Sequence, residues 1–93
     1  MDKIEYYRKK IDEIDRGIVR IFLLRFRIVK KIARHKKTNR IKVEDKEREF
    51  HILENIKKYS GNNHKKFLTG IFEKTIRYSK KLQKKDGKQK LSS

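Results

Sequence analysis

The feature that most constrains this chain is an unbroken helical pattern of apolar residues that begins near its N-terminus. Apolar side chains recur in steps of three and four residues along one helix face, at Ile4, Tyr7, Ile11, Ile14, Ile18, Ile21, then Ile28 or Val29, and Ile32. The sequence has no proline and only four glycines, so nothing interrupts this pattern. We predict a long first helix over residues 3–36, which would extend about 50 Å.

A helix of this length is too long for the core of its own chain. The 93 residues support one small domain, which buries little apolar surface. Hydrophobic residues make up 34% of the chain and charged residues 44%, a balance typical of amphipathic helices with one apolar stripe. We therefore predict that a second copy of the chain covers the first helix, in an intertwined homodimeric helical bundle.

Two shorter helices are predicted after the first. Thr38 and Asn39 disfavour the helix, and the loop that follows ends at Asp45, which can cap a second helix that runs to about Tyr59. The turn-forming residues 60–63 then precede a third helix that runs to about residue 84. The sequence thus predicts an all-α fold with three helices per chain. In this interpretation residues 1–85 form the only domain and residues 86–93 a disordered basic tail.

The composition excludes several kinds of site. Because the chain has no cysteine, it has no disulfide, thiolate nucleophile or cysteine metal site, and its three histidines do not fall at metal-ligand spacing. We predict neither a metal nor a cofactor. No apolar run is long enough for a signal peptide or a membrane span, so a cytoplasmic protein is expected.

The formal net charge of +17 raises the alternative of a nucleic-acid-associated helical protein. The basic residues lie all round the predicted helices rather than on one face, and no groove-reading motif accompanies them. The same positive field would attract a small anionic substrate.

Two cations interrupt the apolar stripe of the first helix. A step of four from Ile21 leads to Arg25, and a step of four from Ile32 leads to Lys36. A buried unpaired charge costs several kcal/mol, so each cation needs an anionic partner. A structural salt bridge and a bound anionic ligand both meet this need.

Further polar residues share helix faces in the two shorter helices. They are Asp45, Arg48 and Glu49 at the start of the second helix, and Ser79 and Gln83 in the third. Each has a purely structural explanation, as a helix cap, a solvated charge or a polar layer. Together with the two cations of the first helix they would form a site rich in hydrogen-bond donors, which suits a ligand that carries carboxylates.

Arg8 extends this predicted site to a second chain. It lies about 25 Å from Arg25 along the helix and is rotated by roughly 100°, so one small ligand cannot contact both within one chain. In an antiparallel pair of first helices, Arg8 of one chain would lie beside Arg25 of the other. This arrangement would give two equivalent sites.

The order and spacing of these residues resemble the all-helical chorismate mutases. The matching segments are residues 7–15, 24–26, 36, 43–49 and 79–83, within a resemblance that covers about residues 4–84. The resemblance implies a homodimer with two active sites, each completed by one arginine of the partner chain. It also implies the isomerisation of chorismate to prephenate in phenylalanine and tyrosine biosynthesis, without cofactor or covalent catalysis. A chain this short is expected to be monofunctional.

The resemblance implies four catalytic residues. Arg8 from the partner chain and Arg25 would bind the two carboxylates of the substrate. Lys36 and Gln83 would donate hydrogen bonds to its ether oxygen. The rearrangement is unimolecular, so positioning and electrostatic stabilisation suffice.

Four more residues complete the substrate-binding set that the resemblance implies. Glu49 would accept a hydrogen bond from the substrate hydroxyl near the backbone of Asp45, and Arg48 and Ser79 would line the carboxylate pocket. An isochorismate pyruvate lyase of the same fold is the nearest alternative, against which Glu49 and Ser79 argue. The loop residues 41–43 depart from many relatives, which have a proline before the valine.

Overall fold

The computed structural model describes residues 2–92, of which residues 86–92 are described by their backbone alone. Helix α1 spans Lys3–Thr38 and helix α2 spans Lys46–Ser92, and no strand occurs within the described residues. The predicted all-α class is therefore confirmed. The tail predicted over residues 86–93 lies outside the fully described residues. None of the described helical stretches is apolar enough over a sufficient length to cross a membrane.

Helix α1 is one continuous helix with a defined cap at each end. Asp2 caps its N-terminus, because Oδ1 of Asp2 accepts a hydrogen bond from the backbone N–H of Ile4 at 3.2 Å. At the C-terminus the backbone N–H of Asn39 donates to the carbonyl of His35. Arg40 then adopts a positive φ of 54° and turns the chain into the loop before α2. The first helix predicted from the apolar pattern thus forms, and it ends two residues later than predicted.

Helix α2 contains a kink at Gly61, where φ is 71° and ψ is −178°. Only glycine adopts this conformation readily, because it has no Cβ. The prediction of three helices per chain is wrong. The sequence predicts that residues 60–63 end one helix and form a turn, but the change of direction is confined to Gly61 and the helix resumes without a loop. The structure therefore has two helices, the second of which is kinked.

The kink folds α2 back on itself. Glu49 and Lys80 are 31 residues apart, yet Nζ of Lys80 lies 3.4 Å from Oε1 of Glu49. In a straight helix the same separation would be about 46 Å. The first turns of α2 and its segment around residue 80 therefore lie side by side.

A small core forms where both parts of α2 meet the C-terminal half of α1. Val29 and Ala33 of α1 and Ile76 of α2 are its buried apolar side chains among the described residues. Aromatic rings extend the contact, with Phe26 and Tyr78 edge to face at a centroid distance of 5.0 Å. This core fixes the C-terminal half of α1 against α2.

The N-terminal half of α1 projects beyond the core. Its apolar stripe is exposed along its whole length from Ile4 to Ile21, and Ile21 is 66% exposed. The radius of gyration is 17.1 Å, against about 12 Å for a compact chain of this length. The chain by itself is thus an open structure, 56 × 32 × 14 Å, with a long uncovered apolar face.

Candidate active site

A polar cavity of about 210 Å³ lies between α1 and the two parts of α2. Its wall includes most of the residues predicted for the substrate site, namely Arg25, Lys36, Asp45, Arg48, Glu49, Ser79 and Gln83. Apolar side chains line the rest, among them Val29, Ile32 and Ile76. Three segments, residues 25–36, 43–52 and 76–83, thus converge on one cavity, which we call the polar cavity below.

Arg25 is held in the polar cavity by Ser79. Nη1 of Arg25 donates to Oγ of Ser79 at 2.7 Å, and the buried Ser79 hydroxyl donates in turn to the carbonyl oxygen of Thr75 at 2.8 Å. Desolvation by burial lowers the pKa of Arg25, and the positive charge of Arg48 lowers it further. Both causes disfavour the positive charge, so an anion placed between the two guanidiniums would be strongly favoured.

Lys36 connects the end of α1 to the loop before α2. Its Nζ donates to the carbonyl oxygen of Val43 at 3.1 Å. An ammonium group carries three N–H donors, so this bond leaves donors that can reach into the polar cavity. The side chain is half-buried, which places its charge at the wall of the cavity rather than in bulk solvent.

Asp45 caps α2, as the sequence predicts. Its Oδ1 accepts a hydrogen bond from the backbone N–H of Arg48 at 3.0 Å, and its carbonyl accepts from the N–H of Glu49 at 3.0 Å. The cap fixes the first turn of α2, from which Arg48 and Glu49 extend to the polar cavity. Asp45 therefore has a structural role in addition to its place in the cavity wall.

Two buried acceptors of the cavity wall have no hydrogen-bond donor. They are Oε2 of Glu49 and Oε1 of Gln83. The Glu49 oxygen lies 3.3 Å from Nζ of Lys80, which is close enough for an ion pair but does not meet hydrogen-bond geometry. Buried polar atoms in folded proteins nearly always have a partner, so the Glu49 oxygen points to a ligand donor and the Gln83 amide points to a ligand group that pairs with one end of the amide.

Lys80 is a residue of the cavity wall that the sequence analysis missed. It precedes Gln83 by three positions, so helical spacing places it on the same helix face as one predicted site residue. This spacing does not single out Lys80 in the sequence, because the segment is rich in lysine, with Lys81, Lys84 and Lys85 close by.

Arg8 lies outside the polar cavity of its own chain. It is exposed near the N-terminus of α1, about 25 Å from Arg25 along the helix axis. The single chain therefore brings together all the predicted site residues except the one expected from a partner chain.

Comparison with known proteins identifies the family. The family model described as "Chorismate mutase type II" matches residues 7–84, which is most of the chain. The chain belongs to the type II chorismate mutases. A chorismate mutase of Methanocaldococcus jannaschii is 35% identical over 86 residues, which covers 90% of this chain and 87% of that protein. No solved structure matches the chain significantly.

Membership of the chorismate mutases confirms the resemblance seen in the sequence. The matched residues 7–84 agree with the range of about 4–84 that carried the resemblance. The function is that of a chorismate mutase, which is an isomerase. The polar cavity is therefore the candidate active site of a chorismate mutase.

Proposed function

We propose that the polar cavity binds chorismate and promotes its rearrangement to prephenate with the residues of its wall. In this reaction the bond between the ether oxygen and the ring breaks, while the enolpyruvyl methylene carbon forms a bond to the ring carbon that carries the carboxylate. No atom is gained or lost. The observation that carries the proposal is the convergence of Arg25, Lys36, Glu49, Ser79 and Gln83 on one small cavity.

Arg25 and Arg48 are the proposed carboxylate-binding groups of the chain. Guanidinium binds carboxylate through two parallel hydrogen bonds, which fixes both position and orientation. Burial, and to a lesser degree the positive charge of Arg48, lowers the pKa of Arg25, so a bound carboxylate would offset both effects. Holding the enolpyruvyl arm over the ring in this way supplies a near-attack conformer.

Lys36 and Gln83 are the proposed partners of the ether oxygen. Negative charge builds on this oxygen as its bond to the ring breaks, so a cation beside it stabilises the transition state more than the ground state. Lys36 enters the cavity from the end of α1 and Gln83 from the segment after the kink. The amide of Gln83 would face the ether oxygen with its NH₂ group, an orientation that a bound ligand selects.

Glu49 is the proposed acceptor for the substrate hydroxyl. Its Oε2 is buried and has no hydrogen-bond donor. A hydroxyl group of the substrate would supply the missing donor and would orient the ring against the cavity wall. Asp45, at the first position before α2, lies in the same part of the wall.

The active form is proposed to be a homodimer. An apolar cleft of about 610 Å³ lies between the first half of α1 and the segment of α2 after the kink. It is lined by residues such as Ile14, Ile18, Ile21, Phe67 and Ile71. The apolar stripe of α1 is exposed from Ile4 to Ile21, and helix α1 of a second copy carries a matching stripe that could cover it.

The same cleft supports a shared active site. Arg25 lines both the apolar cleft and the polar cavity, so it stands at the junction between them. A partner helix seated in the cleft would therefore approach the polar cavity at Arg25. In an antiparallel pair, Arg8 of the partner would reach this junction and would add a third carboxylate-binding cation, from outside the chain, to Arg25 and Arg48.

The proposed function is tested by incubating the purified chain with chorismate. Loss of chorismate absorbance with prephenate as the identified product is the expected result. Release of pyruvate from isochorismate, with no conversion of chorismate, would overturn the proposal in favour of a lyase. The Arg25→Ala variant is the matched negative control, because it removes one carboxylate-binding group without touching the core.

A further inference from the structure

Lys80 forms a bridge between three parts of the chain at the edge of the polar cavity. Its Nζ lies 3.4 and 3.3 Å from the two carboxylate oxygens of Glu49 at the start of α2. It also lies 3.4 and 3.5 Å from those of Glu44, in the loop between the helices. The side chains of Lys80 and Glu49 are only 24% and 25% exposed, so this bridge is partly shielded from solvent.

We propose that Lys80 is a positioning residue for the rearrangement. Its ammonium group holds the carboxylate of Glu49 at the polar cavity and holds the loop before α2 in place across the cavity. This inference rests on the proposed function, because Glu49 is the proposed acceptor for the substrate hydroxyl. Lys80 acts through Glu49 and Glu44 and does not contact the reacting atoms.

The charges around the cavity explain why Glu49 needs such a partner. Arg25, Arg48 and Lys36 line the same cavity, and each would pair with a free carboxylate. A Glu49 side chain that turned to one of them would cease to accept the hydroxyl and would neutralise a cation needed for the substrate. Lys80 pairs with Glu49 from the side of α2 without supplying a hydrogen-bond donor to Oε2, which leaves those cations and that oxygen to the substrate.

Lys80 itself remains charged in this position. Burial alone would lower its pKa, but its hydrogen bonds and charge interactions with Glu49 and Glu44 outweigh burial and raise the pKa. The loop gains a second anchor from Lys36, which donates to the carbonyl of Val43 at 3.1 Å. These contacts fasten a loop that has no proline to stiffen it.

The test compares Lys80→Met with Lys81→Met in steady-state kinetics on chorismate. Both variants remove one positive charge from neighbouring positions of α2, but Lys81 is exposed and lies outside the cavity wall. Lys80→Met should raise KM about tenfold with kcat within about threefold, because hydroxyl and loop contacts act in ground state and transition state alike. Lys81→Met should change neither, and Lys80→Arg, which restores the charge, should recover most of the loss.

A double-mutant cycle shows whether Lys80 acts through Glu49. In a Glu49→Gln background, Lys80→Met should change KM by less than about twofold, because the carboxylate that it positions is gone. Independent, multiplying effects of the two substitutions would overturn the inference, as would an unchanged KM in Lys80→Met.

A second measurement does not depend on activity. Amide hydrogen exchange over residues 40–45 should be faster in Lys80→Met than in Lys81→Met, because the loop loses an anchor. Equal exchange in the two variants would remove the loop-fastening role.

If the wild-type chain did not convert chorismate, the proposed function would fail. An active wild type with an unaffected Lys80→Met would defeat this inference alone.

Discussion

Replacing Ile18 with alanine should weaken the proposed homodimer about 50-fold. Ile18 lines the apolar cleft and is 49% exposed in the single chain. The substitution removes three carbon groups, worth about 2.4 kcal/mol at about 0.8 kcal/mol each when fully buried. About half of that area is left for a partner to bury, and two-fold symmetry doubles the loss to about 2.4 kcal/mol per dimer. This free energy corresponds to about a 50-fold increase in the dissociation constant.

Sedimentation velocity over a dilution series measures this change, with Leu23→Ala as the matched control. Leu23 is 56% exposed on the same helix, but it is rotated by about 140° from Ile18 and points away from the cleft. Leu23→Ala should leave the dissociation constant within about twofold of the wild-type value. Equal effects of the two substitutions, or a wild-type chain that is monomeric at micromolar concentration, would refute the proposed interface.

Three further predictions concern charged residues. Lys36→Ala should lower kcat about 100-fold with unchanged helix content by circular dichroism, because it removes the charge beside the ether oxygen. Mixed and co-refolded Arg8→Ala and Arg25→Ala chains, each inactive alone, should recover about a quarter of wild-type activity, because half the dimers regain one of two sites. Lys80 has a pKa raised above its ordinary value of 10.5. The difference in unfolding free energy between wild type and Lys80→Met should therefore be fully present below pH 10.5 and should vanish as the pH rises through the folded-state pKa.

Each of these predictions has a clear contrary outcome. A near-normal kcat in Lys36→Ala would leave this residue with only its bond to the carbonyl of Val43. Verified heterodimers without activity would contradict a site shared between chains. The difference in unfolding free energy between wild type and Lys80→Met could instead persist unchanged well above pH 10.5. That result would mean that the ion pairs of Lys80 with Glu49 and Glu44 contribute nothing to folding.

The sequence predicted most of the candidate site because the site residues recur at helical spacing. Arg25 and Lys36 occupy positions of the α1 stripe at which the helical pattern predicts apolar side chains. Ser79 and Gln83 share one face of α2. Lys80 was missed, since one lysine among many carries no distinguishing signal in sequence. Its role follows only from its distance to Glu49, a contact between residues far apart in the chain.

The sequence predicts three helices where the structure has two, and the reason is local. Serine, glycine and two asparagines in succession are typical of a turn, so residues 60–63 predict the end of a helix. In the structure Gly61 alone leaves the helical conformation. Sequence patterns record which residues permit a break, but the packing of the neighbouring segments decides how many residues the break requires.

The sequence by itself determined the helical class, the length of α1, the cap at Asp45 and the set of polar residues on helix faces. These features depend on interactions within a few positions along the chain, which periodicity and residue type encode directly. Only the tertiary structure decided that α2 folds back at Gly61, that Arg25 bonds to Ser79, and that Lys80 pairs with Glu49. Those contacts join residues up to 54 positions apart, and they form because burial of the small core brings the segments together, which no local pattern records.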